Sequence, residues 1–513
     1  MSSAHRRTLP SRPDLEQQRK LAKELLRAFN AGDNEATARV RAELPDKKAI
    51  ALADAQFVVA REYGFASWGD LRKRIESLVV ERMPPREQFK RAVSQGDAAS
   101  ARQLLSHHRD VRSSINDTVF SFGTTALLSA GNNLDLVGVL LEFGADPNKK
   151  SDWWAGGFHP LYGARGEVAD RLLAAGSIPD ACGAANLDRR DVLAQLISED
   201  PKRVHERGGD GKTPLHFARS RSVVDYLLEH GADIDARDVD HRSTAAEWMI
   251  GDDPDDQRLD IARYLVERGA SADIFLVAAL GLAERARRML EADPKLLRLR
   301  TSQGEYGEKP PSSFHIYQWT IGPNRSPLQV AAKFGQDETV RVMQQFATPS
   351  ERLLLACHLG HRDEAAAIVR GHPGIVERLG PVERRALTDE AWAPNPPAVE
   401  LMLELGFDPA AQSVTGPTGG NALHCAAWEG SVAAVEAILR YPAGRALLES
   451  RDGTYNGTPL SWCCHGSVNC GNPKADHAEV ARRLISAGAR IDPKIEGCSE
   501  EMQAAVEAAK GAP

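Results

Sequence analysis

Residues 210–235 read D-G-K-T-P-L-H-F-A-R-S-R-S-V-V-D-Y-L-L-E-H-G-A-D-I-D, and the fold is decided there. Gly211 and Lys212 fall at a hairpin tip. Thr213 can cap a helix, and Pro214 fits its first turn, where a missing N–H costs nothing. Leu215, Phe217 and Ala218 give that short helix one apolar side. Val223, Val224, Leu227 and Leu228 then recur at helical spacing, so a second helix follows. Gly231 ends it, because glycine enters the left-handed region after a helix at least cost.

This hairpin with two helices resembles an ankyrin repeat, a unit that recurs about every 33 residues. One such unit cannot bury its own apolar face, so others must stack on it. About twelve irregular units can be traced from residue 86 onward. The T-P-L-H opening is complete only at Thr213–His216. It is partial at Ser326-Pro327-Leu328 and Thr458-Pro459-Leu460, whereas paired helices and G-A-x-x-D closings recur. The run A-D-A-Q-F-V-V-A-R-E-Y-G-F-A-S-W (residues 53–68) resembles a helical segment found ahead of ankyrin repeats in many bacterial proteins. The expected architecture is therefore an all-α ankyrin-repeat solenoid of bacterial type with helical N- and C-terminal caps. Its parts are a disordered tail (1–12), a helical cap (13–83), repeats one to seven (84–300), an aromatic loop insertion (301–324), repeats eight to twelve (325–493) and a capping helix (494–513).

Composition narrows the function classes. The 513 residues are 42% hydrophobic and 26% charged, with a net charge of −7. So small a negative charge, without a Lys/Arg-rich block, argues against a nucleic-acid partner. The longest apolar run, near residues 274–283, is too short to span a bilayer, so no membrane role is expected. Basic residues at the N-terminus are followed by no apolar core, which excludes a secretory signal. Seven scattered cysteines suit a reducing cytoplasm better than a disulfide framework.

Aligning the later units on the leucine of their first helix gives a register of candidate binding residues. The position after the small pair at that helix's end is Lys333, His358, Trp392, Trp428 and His465. The ankyrin resemblance implies that first helices and hairpins line a concave face, with equivalent positions side by side. Aromatic and basic groups in one row are the types enriched at binding hot spots. The bland alternative has the tryptophans packing over neighbouring hairpins and the histidines holding loops. Within residues 301–324, Phe314, His315, Ile316, Tyr317, Trp319 and Ile321 are too aromatic for disorder. Tyr317 and Trp319 are expected to fold back and help wall a pocket with that row; the alternative is a self-packed loop sealing an irregular junction. Asp389, Glu390, His424 and Cys464 are polar neighbours, and Glu390 joins the candidate ligand-binding set.

Enzymatic signals are weak: no phosphate-cradling glycine loop stands out, and nucleophile and zinc-protease motifs are absent. Cys463, Cys464, His465, Cys470 and His477 cluster, but not at the spacing of common zinc modules. The acids at 252–256 read as a solvated loop, with calcium a minor alternative. No metal and no cofactor are expected. His216 and His424, at the H of T-P-L-H, are expected to tie neighbouring loops together. The leading expectation is a protein- or peptide-binding scaffold; the alternative is a small-molecule, even catalytic, pocket between the 301–324 loop and the last repeats.

Overall fold

The computed structural model describes residues 5–10, 13, 15–80, 83–251, 258–301, 314–412, 419–492 and 498–510. Every regular element among them is helical, and the only β pairing is an isolated bridge between Arg237 and Thr244. None of these helices is long and apolar enough to cross a membrane. The acidic segment 252–256, residues 302–313 of the insertion and half of the 1–12 tail lie outside the described residues.

The chain divides into two compact units. The first comprises residues 1–151 and 166–176. Its opening helices, Leu15–Asn30, Asn34–Glu43, Leu52–Glu62 and Trp68–Val80, share a core of Leu25, Val40, Val58, Val59, Leu71 and Ile75. Glu62 is buried in this bundle, and Arg39 neutralises it through paired N–H···O bonds of 2.7 and 3.0 Å. Residues 5–10 were expected to be disordered; instead Arg7 donates its backbone N–H to the Glu62 carbonyl at 2.8 Å. The helix pairs Pro85–Ser94/Ala98–His107 and Ala126–Ser129/Leu134–Glu142 follow. Asn133 stitches them, capping Leu134–Glu142 while donating to the Gly96 carbonyl at 3.0 Å.

The second unit comprises residues 152–165 and 177–513, so the stretch read as a third repeat is shared between the two. Helix pairs run in series from Ala181–Asn186/Arg190–Glu199 to Pro459–Asn469/His477–Ser486, and Glu500–Lys510 closes the chain. First helices pack on first helices and second on second along most of the series. The apolar core is correspondingly drawn out, one cluster extending from Tyr162 to Leu355 and another from Leu353 to Val506.

The diagnostic stretch shows why the pairs need one another. Pro214–Phe217 is a four-residue helix and Arg221–Glu229 a nine-residue one, both too short to persist alone in water. Leu215, Val223, Val224 and Leu227 are fully buried, each worth about 2 kcal/mol. Gly211 has φ +71°, and a Cβ there would meet Val239 of the next hairpin at 2.3 Å; only glycine permits both the turn and the approach. His216 fixes the join. Its Nδ1 accepts the Thr213 N–H at 3.1 Å, so its proton sits on Nε2, which donates to the Ser243 carbonyl at 3.1 Å. His424 repeats the device, with Nδ1 facing the Asn421 N–H and Nε2 donating to the Gly457 carbonyl at 3.1 Å. Both histidines thus tie neighbouring hairpins.

The cysteines depart from expectation. Cys464 and Cys498 form a disulfide, which fastens the last first-helix to the approach of Glu500–Lys510. Cys182, Cys357, Cys425 and Cys463 are free and buried.

Burial drives the His216 pKa down, from 6.5 to about 4, against the raising effect of the Ser243 carbonyl. A depressed histidine pKa contributes stability that is complete above pH 6.5 and lost as pH falls towards 4. Urea unfolding at pH 7 and pH 5 is expected to show this loss, roughly 2 kcal/mol in size. The loss should shrink in His216→Gln, whose side chain does not titrate.

Candidate functional site

Four of the row residues are the last residues of their helices: Lys333 of Pro327–Lys333, His358 of Pro349–His358, Trp392 of Ala386–Trp392 and Trp428 of Ala422–Trp428. His465 lies within Pro459–Asn469. Trp392 and Trp428 stack with centroids 6.1 Å apart and planes 18° from parallel. The His465 ring meets Trp428 edge-on at 5.6 Å. These three side chains form one continuous patch; both indoles are half-buried on the core and His465 is exposed.

The earlier end of the row is polar and engaged. Lys333 donates Nζ to the Ile321 carbonyl at 2.6 Å. His358 places Nδ1 2.9 Å from Glu390 Oε1. Glu390 is only 1% exposed. Its Oε1 also accepts Arg325 Nη1 at 2.9 Å and Gln329 Nε2 at 3.3 Å, and its Oε2 accepts Asn395 Nδ2 at 2.7 Å. Four donors from three successive helix pairs thus converge on one carboxylate. Burial alone would raise its pKa, but the Arg325 guanidinium and the His358 hydrogen bond prevail and hold it at about 2. The adjacent Asp389 behaves oppositely: burial lifts it to about 6 despite Arg385 and a hydrogen bond from Asn324. The gap beside these two acids, about 20 Å³, has room for about one water molecule.

Glu390 is accordingly a buried anchor, which corrects its reading as a ligand-binding group: four protein donors already converge on it. Tyr317 needs the same correction. The segment 314–320 is a helix, Phe314–Thr320, and not a loop. Tyr317 is fully buried in it, with its hydroxyl donating to Asp273 at 3.0 Å and its ring tilted against Phe275. Trp319, on the same helix, is 70% exposed. That helix packs near Ala245–Trp248.

A cavity of about 490 Å³ does adjoin the patch, at the other end. Its wall comprises Trp428, Trp462, His465, Ser461 and the hairpin residues Arg451 and Tyr455–Thr458, with Asp492. Trp462 is rigidly set: its Nε1 donates to Asp452 at 3.0 Å, and Gly420 and Gly457 leave no room for a Cβ beside its ring. Sequence reading missed this hairpin wall; the signal available was Tyr455 beside Asn456-Gly457, an aromatic at a tight turn. The cysteine–histidine group near it does not converge. Cys463 Sγ lies 3.3 Å from the His477 carbonyl, Cys464 is in the disulfide, and Cys470 lies by Glu429.

The described elements are a series of short helix pairs, and at His216 and His424 a buried histidine ties one hairpin to the next. Comparison identifies the repeat: residues 210–239 match the family model of the ankyrin repeat. Over 110 residues the chain is 30% identical to alpha-latrocrustotoxin-Lt1a of Latrodectus tredecimguttatus. That match covers 21% of this chain and 6% of the relative, so the chain spans a small part of that protein's length.

Removing one partner from a buried charge cluster leaves the others uncompensated. Glu390→Gln is expected to destabilise the chain by about 3 kcal/mol at pH 7. A depressed carboxylate pKa contributes stability present above its ordinary 4.5 and lost as pH falls towards 2; the variant should lack that acid loss. Asp389→Asn is expected to be neutral or stabilising at pH 7, since it removes a charge that burial disfavours. Urea titrations of the three proteins at pH 7 and pH 3 check both signs.

Proposed function

We propose that this protein is a rigid ankyrin-repeat scaffold that binds a protein or peptide along the face where the ends of its first helices line up. On this reading the helix pairs of both units are degenerate ankyrin units, and the opening four-helix bundle caps the first of them. The aligned face is the concave one. Trp392, Trp428 and His465 are its hot spot, flanked by Lys333 and His358.

The observation that carries the reading is the contiguous patch of two stacked indoles and an imidazole, contributed by three separate helix pairs. Rings gripped on one side by the core and open on the other lose little freedom when a partner arrives, so more of the contact energy remains as affinity. A single helix pair could not build such a patch; it arises from register between neighbours.

Selection of a random peptide display library on the full chain tests this. Enriched peptides are expected to lose about 2 kcal/mol of affinity, some thirtyfold, in the Trp392→Ala/Trp428→Ala double variant. Stability should fall by less than the affinity does, because each ring is only half-buried on the core. No enrichment, or a loss of stability as large as the loss of affinity, would make those rings core and sink the reading.

A further inference from the structure

We infer that the cavity between the last hairpin and Pro459–Asn469 is a binding site for a free aromatic α-amino acid, a flat ring bearing both a carboxylate and an ammonium. The inference goes beyond the scaffold reading and does not depend on it, because a small molecule fills the cavity whether or not a polypeptide docks nearby.

The size comes first. At about 490 Å³ the cavity falls within the range of small-molecule sites and far exceeds what a few waters occupy. The shape is set by aromatic rings. Trp428 and Trp462 meet at 75° with centroids 6.3 Å apart, so their indoles form a right-angled corner. A flat ring seated there stacks on one indole and meets the edge of the other, the two favourable aromatic geometries. His465 stands perpendicular to Trp428 at 76° and extends that wall. Tyr455, 71% exposed at the hairpin tip, supplies the opposite rim. The corner is built in advance, since Trp428 is backed by Trp392 and Trp462 is pinned through Asp452.

Charge then selects the ligand. Arg451 and Asp492 are both at the cavity wall, one cation and one anion beside an aromatic corner. Arg451 donates Nη1 to the Asn456 carbonyl at 2.6 Å, which fixes the guanidinium on the hairpin and leaves further N–H groups for a carboxylate. Asp492 suits an ammonium. A purely cationic ligand would face Arg451, and a purely anionic one would face Asp492.

Isothermal titration calorimetry on the full chain tests this with three probes: L-tryptophan, tryptamine, which lacks the carboxylate, and indole-3-propionate, which lacks the ammonium. L-Tryptophan is expected to bind with a dissociation constant of about 100 µM or tighter, and each single-charge analogue at least tenfold more weakly. Tyr455→Ala, on an exposed ring that the fold does not need, should weaken L-tryptophan at least fivefold with an unchanged unfolding midpoint. Asp492→Asn should lower L-tryptophan to the level of indole-3-propionate without weakening the latter, a change in selectivity that a structural role would not give. The inference is overturned if L-tryptophan gives no binding heat at millimolar concentration, if the analogues bind equally well, or if Tyr455→Ala leaves the affinity unchanged. Trp392 is not part of the cavity wall, so loss of peptide selection in the single Trp392→Ala variant, with L-tryptophan binding retained, separates the scaffold reading from this one.

Discussion

None of the first helices among the described residues can stand alone, and that constraint governs the rest of the structure. Helices of four to eleven residues, such as Pro214–Phe217 and Pro459–Asn469, are marginal in water. They persist because the next pair buries them. The buried imidazoles make this dependence directional: His216 reaches forward to Ser243 and His424 forward to Gly457. Each of these two hairpins is thus held by the unit before it. Arg258 adds a return link, donating to the carbonyls of His216 and Ala218 at 2.8 and 3.0 Å. At these joins order passes from one helix pair to its neighbour.

Apolar stacking alone would let helix pairs slide, since hydrophobic burial is not directional. Glu390 supplies direction midway along the second unit. Taking a carboxylate out of water costs several kcal/mol, and four hydrogen bonds from Arg325, Gln329, His358 and Asn395 offset that cost only in one arrangement. Arg325 enters from the hairpin before Pro327–Lys333, His358 ends the next first-helix, and Glu390 and Asn395 belong to the one after. The cluster therefore sets the register of three successive pairs. Trp392 lies two residues beyond Glu390, so the charge that fixes the stack also fixes where the first indole of the surface patch emerges.

Much of this was legible in the chain. The hairpin signal, caps and terminal glycines at 210–235 predict the helix pair that forms, because those signals are local. Register was enough to bring Trp392, Trp428 and His465 together, since equivalent positions in neighbouring pairs meet, whereas it did not show that Lys333 is engaged by Ile321 and His358 by Glu390. Other features were hidden by sequence distance. Arg325 and Glu390 are 65 residues apart, and no pattern marks them as partners; Glu390 consequently read as a free group on a groove. Residues 314–320 were misread as a loop because their aromatic content drew attention away from Ile316, Tyr317 and Ile321, which recur at helical spacing and are all buried. Cys464 and Cys498 sit in a scattered, odd set of cysteines, where composition conceals a single pair.

The tryptophans show why residue type alone could not locate the candidate site. Trp462 is 5% exposed and Trp319 is 70% exposed, while Trp392 and Trp428 fall between. A ring buried like Trp462 adds stability and shapes its surroundings but offers little surface to a large partner. A ring as open as Trp319 offers surface, yet must be immobilised on contact, which subtracts from affinity. The intermediate rings satisfy both demands, being gripped on the core side and open on the other. What separates these cases is the helix position each indole occupies relative to its neighbours. Trp392 and Trp428 end their helices, whereas Trp462 sits one turn before His465 and is turned inward against Asp452 and Gly420. The surface patch and the cavity beside it are thus two outcomes of one register: the same stack that presents Trp428 outward sets Trp462 at right angles behind it.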